Sequence, residues 1–279
     1  MMNLYYPIFK ALGKLPPFVV YSLARVGGFV LFRILAYRKG IIQKQIHNAF
    51  PNASQQAQLA IFTNFKRNFE DVMLETIFLF GKSPSFFTKR VQFSGISELN
   101  RALEHTSQII VCGHVANWEW GCLIQEISGI SNPVYVAYHP LKNTKIDAVV
   151  KQSRERFGAT LIPMKHMARK IVEHKNQHAV FILIADQCPA NLIGVSWQEF
   201  LHQDTPFIAG PEKLAQKFDL GVFYGDAKRI KKGHYHYSLG EINAQNCTQE
   251  FAQKLEKSIQ DTPGDWLWSH RRWKRTRQL

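Results

Sequence analysis

The chain has 279 residues, of which 46% are hydrophobic and 20% are charged. This length and composition are enough for one large domain with a buried core, and they exclude a disordered or low-complexity protein. The formal net charge of +14 lies at the two ends: residues 1–69 contain nine basic and no acidic residues, and the last ten residues add five basic ones. Such basic ends indicate an anionic partner, which could be a membrane surface, a nucleic acid or an acidic protein.

Residues 18–37 are about as long as the roughly 20 residues that cross a bilayer core. Arg25 and Arg33 lie within them, and each costs about 2.5 to 3.5 kcal/mol near the bilayer centre. Both project from one face of a helix, and apolar side chains cover much of the rest. We therefore expect an amphipathic or half-inserted helix whose arginines reach toward lipid head groups. An ordinary helix packed on the domain is the alternative.

No signal-peptide cleavage pattern follows this segment. We interpret residues 1–50 as a retained, basic arm that associates with a membrane, and residues 51–279 as the catalytic domain. A further helix is predicted over residues 53–80, because its apolar side chains recur every three to four positions. Gly-Lys-Ser-Pro at 81–84 ends that helix.

From there the chain alternates between short apolar runs and amphipathic stretches, which predicts an α/β protein with a largely parallel sheet flanked by helices. The predicted strands cover residues 108–112, 134–137, 160–162, 179–185, 222–225 and 235–239. The predicted helices cover residues 96–104, 117–127, 144–157, 167–175, 210–218 and 248–260. In such sheets the chemistry sits at the carboxyl ends of the strands.

Two strand ends carry candidate catalytic side chains. After the first strand the chain reads Gly113-His114, and Glu119 follows five positions later. A histidine with a pKa near neutral can take a proton from an alcohol, and a nearby carboxylate can orient its ring. The second place is Asp186, directly after the most apolar strand, because an acid there must be solvated, hydrogen-bonded or functional.

The spacing of His114 and Glu119 is weak evidence by itself, because His236 and Glu241 have the same spacing in a strand-like run. Only the first pair follows a strand-to-helix turn, so we interpret the second as chance. The sequence contains no Gly-rich phosphate loop, nucleophile elbow or metal-ligand cluster. Four cysteines without metal-type spacing indicate a reducing environment, and we expect Cys188 to be a small buried residue.

Four motifs in this order resemble the lipid A biosynthesis acyltransferase family, within the wider glycerol-3-phosphate and lysophospholipid acyltransferase group. They are GHVANWEWG, ADQCP, WQEFLHQDTPFIAGPEKLA and PGDWLWSHRRWK, and HNAFPN at 47–52 fits as well. The resemblance implies an enzyme on the cytoplasmic face of the bacterial inner membrane. It would move a fatty acyl chain from a thioester to a hydroxyl of a lipid acceptor such as a lipid A precursor. Acyl carrier protein is expected as the donor more than coenzyme A, with no cofactor, metal or nucleic acid.

The resemblance also implies roles for residues of this chain. His114 would be the general base and Glu119 the acid that orients it. Asp186 would shape the acceptor or catalytic pocket, and Arg154 would meet a phosphate. Many members read Tyr-Arg-Pro where this chain reads Tyr-His-Pro. His139 is therefore expected to bind substrate, but with less positive charge than the arginine of those members. The remaining expected substrate-binding residues are Asn117, Gln187 and Gly210.

Other functions remain open at this stage. Within the enzyme class, the acceptor could instead be a lysophospholipid or an amino-acid lipid of the ornithine type. A non-catalytic basic protein that binds membranes or nucleic acid is the alternative of another class, since RRWKR at 271–275 interleaves basic and aromatic residues.

Overall fold

The structure is a computed structural model that describes residues 5–277. Its α-helices are α1 (Tyr5–Gly13), α2 (Pro17–Gly28), α3 (Lys39–Ala49), α4 (Gln55–Glu75), α5 (Phe78–Gly81), α6 (Pro84–Thr88), α7 (Ile96–Leu103), α8 (Ile124–Ser128), α9 (Thr144–Glu155), α10 (Met164–His174), α11 (Gly210–Phe218) and α12 (Cys247–Asp261). Its strands are β1 (Val91–Ser94), β2 (Gln108–Cys112), β3 (Val134–Tyr138), β4 (Thr160–Pro163), β5 (Val180–Ile184), β6 (Val195–Phe200), β7 (Gln203–Ile208), β8 (Gly221–Lys231) and β9 (His234–Ile242).

A seven-stranded sheet in the order β1-β9-β8-β2-β5-β3-β4 forms the centre of the molecule. Every neighbouring pair runs parallel except β8 and β9, which form an antiparallel pair. The central strands β2 and β5 read as continuous apolar runs because helices cover both faces of the sheet. Ile109 packs in the core on one face and Ile110 in the core on the other. The predicted α/β class with a mixed, largely parallel sheet is confirmed.

Two stretches differ from the sequence-based expectation. The helix predicted over 117–127 is a 3₁₀ segment, Trp118–Leu123, followed by the short α8. The side-chain oxygen of Asn117 accepts a hydrogen bond from the amide of Trp120 and begins that segment with a tight turn. The long helix predicted over 53–80 ends at Glu75, and a separate turn forms α5.

The hairpin of β6 and β7 was not predicted. Its two-residue turn consists of Leu201 and His202, which both have positive φ (51° and 60°). Turns of this kind usually carry Asn-Gly, so the expected sequence signal is missing. The side chain of Leu201 is buried, and this packing outweighs the local backbone preference.

The N-terminal helix α2 packs one face on α4. Its Arg25 forms ion pairs with Glu70 and Asp71 of α4, so the prediction that this arginine reaches toward lipid head groups is wrong. A π-helical turn continues α2 to Ile34, and Pro17–Ile34 is apolar and long enough to cross a membrane by length and composition alone. Only 22% of this stretch is buried. Side chains on its other face are exposed, namely Phe18, Leu23, Val26, Phe29 and Ile34.

The predicted boundary at residue 50 stays a prediction. Buried side chains from both sides of it, among them Ile42, Ile46 and Phe65, contribute to one hydrophobic core. Gln45 of α3 also donates to the backbone oxygens of Trp268 and His270 in the C-terminal segment. The part of the arm that precedes α4 therefore helps to hold the end of the chain on the domain.

Candidate active site

His114 and Asp186 meet at the carboxyl edge of the sheet because of the register of β2 and β5. Cys112, the last residue of β2, pairs with Ile184, the last residue of β5. His114 lies two positions after Cys112, and Asp186 lies two positions after Ile184. Because the two strands are parallel, both side chains reach the carboxyl edge of the sheet. Nδ1 of His114 lies 2.6 Å from Oδ1 of Asp186. Gly113 between strand and histidine packs closely on α12, since a Cβ there would lie 2.7 Å from the side chain of Leu255.

Asp186 is buried and accepts hydrogen bonds with both oxygens. Its Oδ2 accepts from the backbone N–H of His114 at 2.9 Å and from the indole Nε1 of Trp266 at 2.8 Å. Its Oδ1 accepts from Nδ1 of His114. These donors satisfy the carboxylate inside the protein. With Nδ1 protonated toward Asp186, Nε2 of His114 carries the lone pair and accepts from the amide nitrogen of Gln187 at 3.3 Å.

The pKa values of the pair move in opposite directions. Burial acts to lower the pKa of His114, but the charge and hydrogen bond of Asp186, together with the charge of Glu119, raise it above its ordinary value of 6.5. Burial acts to raise the pKa of Asp186, but the charge and hydrogen bonds of His114, with the bond from Trp266, hold it below its ordinary range. Asp186 therefore stays ionised and stabilises a protonated imidazole.

Glu119 occupies a different place from the one the sequence predicted. Its Oε2 accepts from Nη2 of Arg154 at 2.5 Å, and the two side chains form a mostly buried ion pair. The acid that contacts the ring of His114 is Asp186, so the expectation that Glu119 orients the ring is corrected. The reason is the 3₁₀ geometry of Trp118–Leu123, which directs Glu119 toward α9. In this structure Arg154 pairs with the carboxylate of Glu119, and its contact with a phosphate stays a prediction.

His114 opens into a cavity of about 690 Å³. The apolar part of the cavity wall is formed mainly by β3, β4 and β5. The polar part includes the Glu119–Arg154 ion pair and the residues around the cavity opening. Nε2 of His114 lies 3.3 Å from the amide nitrogen of Gln187, which also lines the cavity. His139 is exposed and lines the wall, and its contact with substrate stays a prediction. The apolar lining residues include Val136, Ala137, Leu161, Met164, Ile182 and Ile184.

Two predicted substrate-binding residues lie outside the lining of this cavity. Asn117 is fully buried, and its amide nitrogen donates to Glu75 at 2.8 Å, so the protein already uses its side chain. Gly210 begins α11, beyond the end of β7. Asp186 also lies behind His114 and not at the cavity wall, so its position is that of an orienting residue. The motif pattern located these residues in the chain but could not distinguish a wall residue from a buried support.

The C-terminal segment supplies cavity and support residues that were not predicted as site residues from the sequence. Trp266 holds Asp186, and its neighbour in the chain, Leu267, donates its N–H to the backbone oxygen of His114. His270 and Lys274 line the cavity. Burial lowers the pKa of His270 to about 4, and its Nε2 accepts from the amide of Cys188. The motif PGDWLWSH marks this segment in the sequence as part of the family pattern. Only the packing of the folded chain shows which of its side chains reach the site.

Not every basic side chain of the C-terminal cluster (residues 271–275) is free at the protein surface. Arg272 is fully buried, donates to the backbone oxygen of Pro206 and lies over the ring of Phe207. Arg275 donates to the backbone oxygens of Pro189 and Ala190. These contacts hold the segment on the domain.

Cys112, Cys122 and Cys188 line the cavity, and burial keeps the first two thiols protonated at neutral pH. Burial raises the pKa of Cys112, which lines the cavity, and of Cys122 to about 12. A thiol in this state is a poor nucleophile. Cys188 is buried, as expected. Over residues 5–277, no three His, Cys, Asp or Glu side chains are grouped so that they could hold a metal ion.

Comparison with models of known protein families gives a match over almost the whole chain. The profile of a family described as bacterial lipid A biosynthesis acyltransferase matches residues 1–275. No curated protein matches the chain. The matched range includes both halves of the His114–Asp186 pair, the cavity and the C-terminal segment.

Proposed function

Since the chain belongs to the bacterial lipid A biosynthesis acyltransferase family, we propose that it transfers a fatty acyl chain from a thioester to a hydroxyl of a lipid A precursor. Members of this family are acyltransferases. The observation that carries the proposal is the buried His114–Asp186 pair, which opens through Nε2 into a cavity with an apolar wall. A base beside an apolar cavity suits a reaction that joins an alcohol to an acyl chain.

His114 acts as the general base in the proposed mechanism. Its Nε2 takes the proton as the acceptor oxygen attacks the thioester carbonyl, and the negative charge of Asp186 stabilises the imidazolium that forms. The C–S bond then breaks, the thiolate leaves, and the proton on His114 passes to it. No side chain of the enzyme has to form a covalent intermediate. Two of the three thiols that line the cavity, Cys112 and Cys122, have raised pKa values and are poor nucleophiles.

Glu119 and Arg154 act beside this pair. The charge of Glu119 adds to that of Asp186 in raising the pKa of His114. The ion pair of Glu119 with Arg154 fixes one wall of the cavity within reach of the reacting groups. Gln187, whose amide nitrogen lies next to Nε2, is placed to donate a hydrogen bond to a substrate oxygen.

We propose acyl carrier protein as the donor and the cytoplasmic face of the inner membrane as the location. The basic ends of the chain support both, because an anionic leaflet and an acidic carrier are attracted to positive charge. The exposed apolar face of α2 and its π-helical extension supports a helix that lies in the head-group region. The ion pairs of Arg25 and the packing on α4 favour this position over a free transmembrane span.

The test is acyl transfer by the purified full-length chain, with acyl-carrier-protein and coenzyme A thioesters offered separately. The acceptors are a lipid A precursor, a lysophospholipid and an ornithine lipid, and mass spectrometry of the lipid detects the product. We expect transfer to the lipid A precursor, and we expect His114→Ala to lower the rate by about 10² to 10⁴.

The matched control is His236→Ala. His236 has the same spacing to an acid but lies in β9, away from the cavity lining, so this variant should keep the wild-type rate. Wild-type activity in His114→Ala would refute the assignment of the base. Transfer only to another acceptor would refute the proposed substrate.

A further inference from the structure

Glu75, the last residue of α4, is a buried acid that the mechanism above does not use. Its side chain is fully buried, yet within the described part of the chain it forms no ion pair. Three neutral donors converge on it. Oε2 accepts from Nδ2 of Asn117 at 2.8 Å and from the hydroxyl of Tyr235 at 2.6 Å, and Oε1 accepts from the hydroxyl of Tyr21 at 2.8 Å. A buried carboxylate is costly unless such donors satisfy it, so this arrangement needs an explanation.

The donor Asn117 belongs to the turn that follows β2 and carries the catalytic side chains. Its Oδ1 accepts from the amide of Trp120, and its backbone oxygen accepts from the hydroxyl of Tyr237. The indole of Trp120 donates to the backbone oxygen of Glu75 at 3.3 Å. Glu75 and Asn117 together therefore hold the beginning of the 3₁₀ segment.

That segment presents two side chains to the site. The ring of Trp118 lies 5.3 Å from the ring of His114, edge to face, and Glu119 forms the ion pair with Arg154. The residue before Asn117, Ala116, has φ of +49°, a region that residues with a Cβ disfavour. Contacts from outside the turn must hold this conformation, and Glu75 provides one of them through its hydrogen bond with Asn117.

We propose that Glu75 is a positioning residue for acyl transfer: its carboxylate holds Asn117 and thereby sets the orientation of Trp118 and Glu119 beside His114. The inference rests on the proposed function. Tyr21 joins the same carboxylate to α2, so the N-terminal helix and the catalytic turn share one buried acceptor.

The test compares Glu75→Gln with Asp71→Asn. Gln places an NH₂ group where one of the carboxylate oxygens accepts, so one donor loses its acceptor. Asp71 lies one helical turn earlier on α4, is equally buried and pairs with Arg25 and Arg229, but none of its own contacts ends on the catalytic turn. We expect kcat to fall about tenfold or more in Glu75→Gln with KM within about twofold, and kcat to stay within about twofold in Asp71→Asn.

A double variant tests the route of the effect. If Glu75 acts through Asn117, then Glu75→Gln added to Asn117→Ala should lower kcat little further. The proposal would be overturned if the double variant lost kcat by the product of the two single losses. It would also be overturned by a wild-type kcat in Glu75→Gln, or by equal losses of kcat in the Glu75 and Asp71 variants. If Glu75→Gln does not fold, Asn117→Asp replaces it, because it removes the donor to Oε2 of Glu75 and keeps an oxygen that can accept from the amide of Trp120. A fall in kcat of about threefold or more would support the proposal, and an unchanged kcat would overturn it.

A second readout does not depend on turnover. The ring of Trp118 perturbs the proton chemical shifts of the His114 ring at this distance, so these shifts should move in Glu75→Gln and not in Asp71→Asn. Unchanged shifts would contradict the positioning role. Absence of transfer by the wild-type protein would contradict only the proposed function.

Discussion

At the scale of single residues, the chemistry depends on which carboxylate contacts His114. Asp186 accepts from Nδ1 of the ring and stays ionised, whereas Glu119 is held by Arg154 and acts on the ring only through its charge. With the ring oriented in this way, Nε2 faces the cavity, where Gln187 is its hydrogen-bond partner. The contacts of Asp186 and the position of Glu119 lead to separate predictions.

The first prediction concerns Asp186→Asn. An amide in this place can present its NH₂ group to Nδ1, which favours the wrong tautomer of His114 and removes the charge that stabilises imidazolium. We expect kcat/KM to fall by about 10² to 10⁴, as for the comparable change in serine proteases. Thermal unfolding should be followed in parallel, with Asp226→Asn as the control, because Asp226 accepts from Ser258 outside the catalytic pair. A loss of less than threefold would contradict the orienting role.

The second prediction concerns pH. The proposed mechanism requires the base form of His114, and the pKa of this ring is raised, so kcat/KM should rise with pH through an inflection above 6.5. Below that inflection the ring is protonated and cannot accept the proton. Because the charge of Glu119 contributes to the raised pKa, Glu119→Gln should move the inflection to lower pH. Glu126→Gln, at an exposed position in α8, should leave it in place, and an inflection below 6.5 in the wild type would count against this electrostatic description.

At the scale of elements, the close contact of α1 with α5 fixes the first helix on the domain. A Cβ on Gly13 would lie 2.5 Å from the backbone oxygen of Ile77, and one on Gly81 would lie 2.6 Å from the amide nitrogen of Lys14. The obstacles are backbone atoms, which cannot rotate away as a side chain can. The two glycines therefore allow the helices to approach more closely than any other residue pair would.

The third prediction follows from this contact. Gly81→Ala should displace α1 and lower the free energy of unfolding by about 1 to 3 kcal/mol, measured by urea denaturation. Gly40→Ala in α3 is the matched control, because nothing lies within 4 Å of its added Cβ. That variant should be as stable as the wild type or up to about 1 kcal/mol more stable. Equal losses in both would show that packing of α1 is not the cause.

The elements also differ in how well local sequence predicts them. β2 was predicted with its observed bounds and α11 likewise, because each has a clear apolar pattern and clear ends. The hairpin of β6 and β7 was missed, since its turn residues Leu201 and His202 carry no turn signal. Its conformation depends on the burial of Leu201 in the core, which local sequence does not encode.

At the scale of the whole molecule, one face of the N-terminal segment is bound to the domain and the other is apolar and open. Val26 and Phe29 are 65% and 59% exposed, although they belong to the most apolar part of the chain. An exposed apolar face of this kind, beside basic residues, suits the proposed association with an anionic leaflet.

The fourth prediction tests that association. Val26→Asp combined with Phe29→Asp should lower partitioning onto anionic vesicles about tenfold or more, because burial of each side chain contributes about 1.5 to 3 kcal/mol. Sedimentation with vesicles measures it. Leu59→Asp, which alters an equally exposed apolar residue on α4, should bind vesicles like the wild type. Unchanged binding in the double variant would exclude this face as the membrane contact.

The amino-acid sequence by itself determined the α/β class, the family and the identity of the strand ends that carry His114 and Asp186, since periodicity, composition and motif order are local properties. Only the tertiary structure decided which acid meets the histidine. Asp186 is 72 residues away from His114, and Trp266 is a further 80 residues along the chain from Asp186. Glu119, five positions from His114, is directed elsewhere. Contacts over such separations depend on strand register and on packing between distant segments, and the spacing of residues along the chain does not specify either.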